Sequence, residues 1–119
     1  MSQQTLDDCL FCKIVAGDIP SERVAQSERS IAFRDINPAA PVHVLVVPRR
    51  HEPTVGALAA ASPDDLTDVF RLAQQVAEQE GVGDAHRLIV NTGSDAGQTI
   101  FHAHVHVLAG VRFTEGRMV

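Results

Sequence analysis

Two hydrophobic periods divide the chain. From Ser62 to Glu80, apolar residues recur three and four positions apart, at Leu66, Val69, Phe70, Ala73, Val76 and Ala77, the spacing of one helix face. Ser62 suits the N-cap and Pro63 the first turn. Asp65 follows Ser62 at capping-box distance, and Gly81 and Gly83 stop the helix. Burying Leu66, Val69 and Phe70 against a sheet is expected to contribute about 1.5–3 kcal/mol each; the stripe reads as core, without chemistry. Elsewhere the period is two. Val42–Val47 is a strand dense in β-branched residues and ended by Pro48. Val24–Gln26, Ser30–Arg34 and Arg87–Asn91 are shorter strands, and a last strand runs from about Thr99 to Leu108. Asp35–Pro41 is a loop with two prolines, and Thr92–Gly97 a turn-rich loop. A short helix from Asp7 to Gly17 opens on acidic residues and closes on a left-handed glycine. About five strands with short turns and one long helix predict an α+β domain with a mostly antiparallel sheet. No β-helix-β unit repeats, so a doubly wound parallel sheet is not expected.

The last strand carries the chemistry. In His102-Ala103-His104-Val105-His106-Val107-Leu108, alternation sends three imidazoles to one face and Ala103, Val105 and Val107 to a dry one. Half of the chain's 6 histidines fall within this stretch, which argues against a surface strand that merely happens to carry them. Histidine changes charge near neutral pH, so such a face suits proton transfer, nucleophilic attack, anion binding or metal ligation. His86, in the turn before Arg87, reads as a solvated surface residue.

Composition narrows the options. A chain of 119 residues, 45% of them apolar, suits one folded domain with its own core. Its bounds are taken as 1–119, with the core at about 8–110 between a short flexible N-terminus and a C-terminal tail. No apolar run is long enough to cross a bilayer, and the polar, acidic start is unlike a secretory signal, so the default is a cytoplasmic protein with no membrane partner. A net charge of −5 argues against a non-specific nucleic-acid binder but leaves room for a mononucleotide, whose phosphate a few backbone N–H groups and histidines can hold. Cys9 and Cys12 are too close to clip a large loop and fit a reducing compartment as thiols or metal ligands.

His102–Leu108 has the form His-φ-His-φ-His-φ-φ, with φ apolar, and resembles the signature of the histidine-triad (HIT) superfamily. Phe33–His43, Val46–His51 and Asn91–His102 resemble three further segments of that family, so the similarity spans roughly Asp8 to Gly110. The Hint-type, or protein-kinase-C-interacting-type, branch looks nearest. This resemblance implies a homodimer with a sheet continuous across the two-fold axis, and a purine nucleotide site. It also implies hydrolysis at the α-phosphorus of nucleoside 5′-phosphoramidates through a nucleotidyl-histidine, with no metal required for the reaction.

Carried over residue by residue, the resemblance makes His104 the nucleophile, His106 a partner of the α-phosphate or leaving group, and His43 a fourth active-site histidine. Thr99 takes the phosphate-contacting hydroxyl position and Asn91 the phosphate side. Gly97 and Gln98 belong to the phosphate turn. Asp35 would accept from both ribose hydroxyls, since a carboxylate offers two acceptor oxygens; its simpler role is to open a turn. Leu10, Phe11, Ile14, Phe33 and Ile36 would form a slot for the base, or simply core. Some bacterial HIT proteins carry a structural zinc, for which Cys9, Cys12, His51 and His102 would be the four ligands; a redox pair, or two plain buried thiols, are the alternatives. Two departures stand out. Ala96 replaces the family's usual glycine, and 111–119 does not resemble the Hint-branch tail. A dinucleoside polyphosphate hydrolase, a nucleotide phosphorylase and a non-catalytic AMP- or GMP-binding dimer are competing functions.

Overall fold

The computed structural model describes residues 8–115. The expectations for the first seven residues and for 116–119 lie outside that range. Five strands form one sheet: β1 (Arg23–Gln26), β2 (Ser30–Arg34), β3 (Val42–Pro48), β4 (Arg87–Ile89) and β5 (Val105–Ala109). Their order is β1-β2-β3-β5-β4, and every neighbouring pair is antiparallel. Three helices complete the α+β fold: α1 (Leu10–Ala16), α2 (Val55–Ala61) and α3 (Pro63–Gln79). No helix among the described residues is long and apolar enough to cross a membrane.

Alternation along β2, β3 and β5 feeds two separate cores. Ala32, Val44, Val46, Val105 and Val107 pack with Leu58 of α2 and with Val69, Leu72, Ala73 and Val76 of α3. Ile31, Phe33, Leu45 and Val47 face the other way and pack with Cys9 and with Phe11 and Ile14 of α1. The histidines lie on this second, thinner side.

The structure departs from the sequence pattern in several places. Phe70 is 36% exposed and Leu66 only half-buried, while Leu72 is enclosed. The buried face centres on Val69, Leu72 and Val76, and Phe70 lies about 100° round the helix from Val69. Ser62 does cap α3 by accepting the Asp65 N–H at 3.3 Å. Asp65 does not close a capping box: the Ser62 N–H goes to Leu58 O at 2.8 Å, and the Asp65 carboxylate takes Arg29 at 2.6 Å. Helix α2, which the periodicity did not announce, is capped by Thr54 Oγ1 on the Ala57 N–H at 3.1 Å and runs directly into α3. The first turn of α1 holds no acidic residue; Cys9 caps it, its sulfur accepting the Cys12 N–H at 3.3 Å. Gly17 closes the helix at φ +84 as expected. His86 is half-buried, its Nδ1–H donated to Val82 O at 2.8 Å.

β4 ends at Ile89, and β5 begins only at Val105, six residues later than expected. Its pairing with β3 runs from Val46↔Val105 to Val42↔Ala109. Upstream of Val105 the chain is held by other partners, including the Ala103 N–H on Glu52 O at 2.7 Å. At the far end, Gly110 turns at φ +95 directly against Pro41; a Cβ there would lie 2.8 Å from Pro41 Cβ.

Candidate functional site

Of His102, His104 and His106, only His106 belongs to the sheet ladder, yet the faces alternate as the pattern requires. Ala103, Val105 and Val107 enter the α3 core, while the three imidazoles line up on the α1 side. Phe11 touches two of them edge-on, with centroids 6.0 Å from His102 and 5.1 Å from His104. His104 and His106 follow at 5.0 Å. His102, His104 and His43 are all buried.

His102 points into a cluster with Cys9, Cys12 and His51, whose ligand atoms lie within 4.8 Å of one another. His102 Nδ1 is 3.3 Å from Cys9 Sγ, 3.5 Å from Cys12 Sγ and 3.2 Å from His51 Nδ1, and Cys12 Sγ is 3.2 Å from His51 Nδ1. Tetrahedral zinc, with Zn–S about 2.3 Å and Zn–N about 2.0–2.1 Å, separates its ligands by about 3.3–3.8 Å, close to these spacings. The other nitrogen of His102 donates to Pro48 O at 2.8 Å, leaving Nδ1 a lone pair aimed at the cluster, the usual arrangement behind a metal-bound histidine. The donor set and the tautomer therefore fit a closed zinc site. Burial, aided by the adjacent Cys9 thiol, pushes the Cys12 thiol up to about 12, a bias that a bound cation reverses.

His43, His104 and His106 form a second group. The His104 Nδ1–H donates to His102 O at 2.7 Å, which leaves Nε2 with a lone pair. The Ala39 N–H donates to His43 Nδ1 at 2.9 Å, and His43 Nε2 lies 2.9 Å from His106 Nδ1 and 3.5 Å from Asp35 Oδ2. Burial lowers the pKa of His43 and His104 and takes His106 down to about 4. At neutral pH these rings are uncharged and available as hydrogen-bonding groups.

Beside them opens a cavity of about 240 Å³, lined among others by Leu10, Phe11, Ile14, Phe33, Asp35 and Ile36. The structure thus gathers all five residues of the expected slot with the acid. Ile19, Leu45 and Ile100 add to the wall; nothing in their spacing marked them. Ile36 is 91% exposed at the rim. Asp35 does open a turn, Oδ1 accepting the Asn37 N–H at 2.8 Å. In the loop after β4, Gly93 and Gly97 take positive φ, and Asn91 stands next to Gly97. Thr99 is exposed. Gln98 differs from the expectation: its side chain is buried and committed, accepting from the Gly93 N–H at 2.9 Å and donating to Pro53 O at 2.7 Å and Ile100 O at 3.0 Å. It supports the loop and presents no amide to a ligand.

Comparison with known proteins agrees with this geometry. The HIT domain family model matches residues 16–113. A purine nucleoside phosphoramidase of Escherichia coli (strain K12) is 41% identical over 105 residues, covering 87% of this chain and 88% of that protein. An uncharacterized HIT-like protein of Synechocystis sp. is 41% identical over 111 residues, 91% and 95% of the two chains. Among solved structures, a HIT family hydrolase from Clostridium thermocellum superposes with a TM-score of 0.89 at 43% identity, covering 97% of this chain and 100% of that one.

Proposed function

This chain belongs to the HIT domain family, and from that membership we propose that it hydrolyses purine nucleoside 5′-phosphoramidates through a nucleotidyl-histidine on His104. The observation that carries the reading is the Nδ1–H of His104 on the backbone carbonyl two residues upstream, His102 O at 2.7 Å, which makes Nε2 the nucleophilic nitrogen of a buried, neutral ring. Attack by Nε2 on the α-phosphorus forms an N–P bond and breaks the P–N bond of the substrate. The leaving amine takes a proton from His106, and water then splits the Nε2–P bond to release the nucleoside monophosphate. The cavity beside Phe11 takes the base, Asp35 the ribose hydroxyls, and the Gly93–Gly97 turn, with Thr99 and Asn91, faces the phosphate. The 41% identity to a named purine nucleoside phosphoramidase supports the substrate class.

Cys9, Cys12, His51 and His102 would hold a zinc ion, which supplies a structural cross-link and no chemistry in the reaction. The working unit is a homodimer in the cytoplasm, where reduced thiols persist. The test is chemical trapping. Rapid quenching after mixing with a radiolabelled adenosine phosphoramidate should give an acid-labile adduct on His104. His104→Ala should lose activity by on the order of 10³-fold or more while still binding AMP. Faster cleavage of diadenosine polyphosphates than of phosphoramidates, or AMP binding with no turnover of either, would overturn the reading.

A further inference from the structure

The hydrogen-bonded row from Ala39 through His43 to His106 has a direction. A backbone N–H can only donate, so His43 Nδ1, 2.9 Å from the Ala39 nitrogen, presents a lone pair. A neutral imidazole that is bare at Nδ1 carries its proton on Nε2. The surroundings of Nε2 agree, since Asp35 Oδ2 at 3.5 Å is an acceptor and His106 Nδ1 at 2.9 Å is free to be one. If His106 accepts at Nδ1, its own proton is on Nε2. His104 is the reverse, because the His102 carbonyl at 2.7 Å holds its proton on Nδ1.

We infer that the backbone N–H of Ala39, acting through His43, sets the tautomer of His106, so that the two reacting histidines offer opposite groups at Nε2: a lone pair on His104 and a proton on His106. Ala39 and His43 are then positioning residues. The catalytic consequence rests on the proposed phosphoramidase reading, whereas the tautomers can be observed without substrate. Burial favours the same state, since an imidazolium at His43 would need a proton on Nδ1, where the Ala39 N–H already points. The arrangement also separates the two histidine clusters. Asp35, His43 and His106 bring two nitrogens and a carboxylate oxygen within 4.8 Å of one another, but His43 cannot turn an Nε2 lone pair to a cation without losing its Ala39 bond. His102, by contrast, spends its proton on Pro48 O and keeps Nδ1 bare.

The protein as purified, with ¹⁵N-labelled histidine, answers the question in a long-range ¹H–¹⁵N correlation at neutral pH, which distinguishes protonated from bare ring nitrogens. The expected pattern is Nε2–H for His43 and His106, and Nδ1–H for His104. Ala39→Pro deletes the donor. It should give His106 mixed tautomers and lower kcat by about tenfold or more, with KM moving no more than about threefold. If that variant does not fold, His43→Gln and His43→Leu decide. The glutamine amide can donate to His106 Nδ1 and should retain the Nε2–H signature; leucine cannot, and should lose it. A wild-type His43 protonated at Nδ1, a His106 protonated at Nδ1, or a His106 signature indifferent to His43→Leu would overturn the inference. The stated tautomers without any adduct on His104 would contradict the proposed function and leave the tautomers standing.

Discussion

His106 and His43 lie in surroundings that resist a positive charge, chiefly through burial, and His106 is taken down to about 4. In the unfolded chain the same rings titrate near pH 6.5. Between about pH 6.5 and 4 the unfolded state therefore takes up protons that the folded state refuses. Stability is full above that window and falls as pH drops through it. Thermal melts from pH 7.5 to 5 should show a declining midpoint, flattened in His106→Asn; a midpoint flat in both would remove this account. Phe11 is a second residue with two duties. It is 4% exposed and meets Phe33 edge-on at 5.5 Å as well as the rings of His102 and His104. Phe11→Ala should cost about 3–5 kcal/mol in denaturant unfolding and weaken AMP binding in calorimetry. The triad was legible at this scale because alternation is a local property of the backbone. Ala39 was not: its contribution is a main-chain N–H, which any residue except proline supplies, so no side-chain pattern announces it.

At the scale of elements, α1 is a piece that depends on its anchors. Seven residues make too short a helix to persist alone, and on the sheet it rests on Phe11 and Ile14 alone among its buried residues. The Cys9–Cys12–His51–His102 cluster ties its N-terminal end to the segment after β3 and to the stretch before β5. Cys9→Ser should lower bound zinc below one equivalent by metal analysis and lower the melting temperature by about 5 °C or more; a metal-free wild type of equal stability would dismiss the clamp. Strand β3 and helix α3 were readable because their signals, a β-branched run and a Ser-Pro cap, are contained within each segment. Helix α2 lacks a polar-apolar stripe, its residues all being small or apolar. The late start of β5 and the exposure of Phe70 depend on tertiary packing, which periodicity does not record.

For the whole molecule, the sheet is covered by α2 and α3 on one face and by α1 on the other, leaving β1 and β4 as edges. β1 is interrupted by a register shift between Arg23 and Ala25, a feature that discourages edge pairing. β4 is regular over its three residues, and Leu88 and Val90 at that edge are 38% and 40% exposed. A two-fold pairing through β4 is the expected dimer contact. Sedimentation should give twice the chain mass, and Leu88→Asp should shift it toward the monomer; a wild-type monomer would refute the assembly. The α+β class and the antiparallel sheet were legible from the sequence, whereas which edge stays open depended on register.

Gly110, just past the end of β5, bears on Pro41 and so on the loop that carries Ala39. Any side chain there would collide with the proline ring and push the loop outward. The hydrogen that orients His43 would travel with it. A lesion at this rim should thus look, in an assay, like damage to the reaction centre: the fold persists, nucleotide still binds, and the proton waits on the wrong nitrogen.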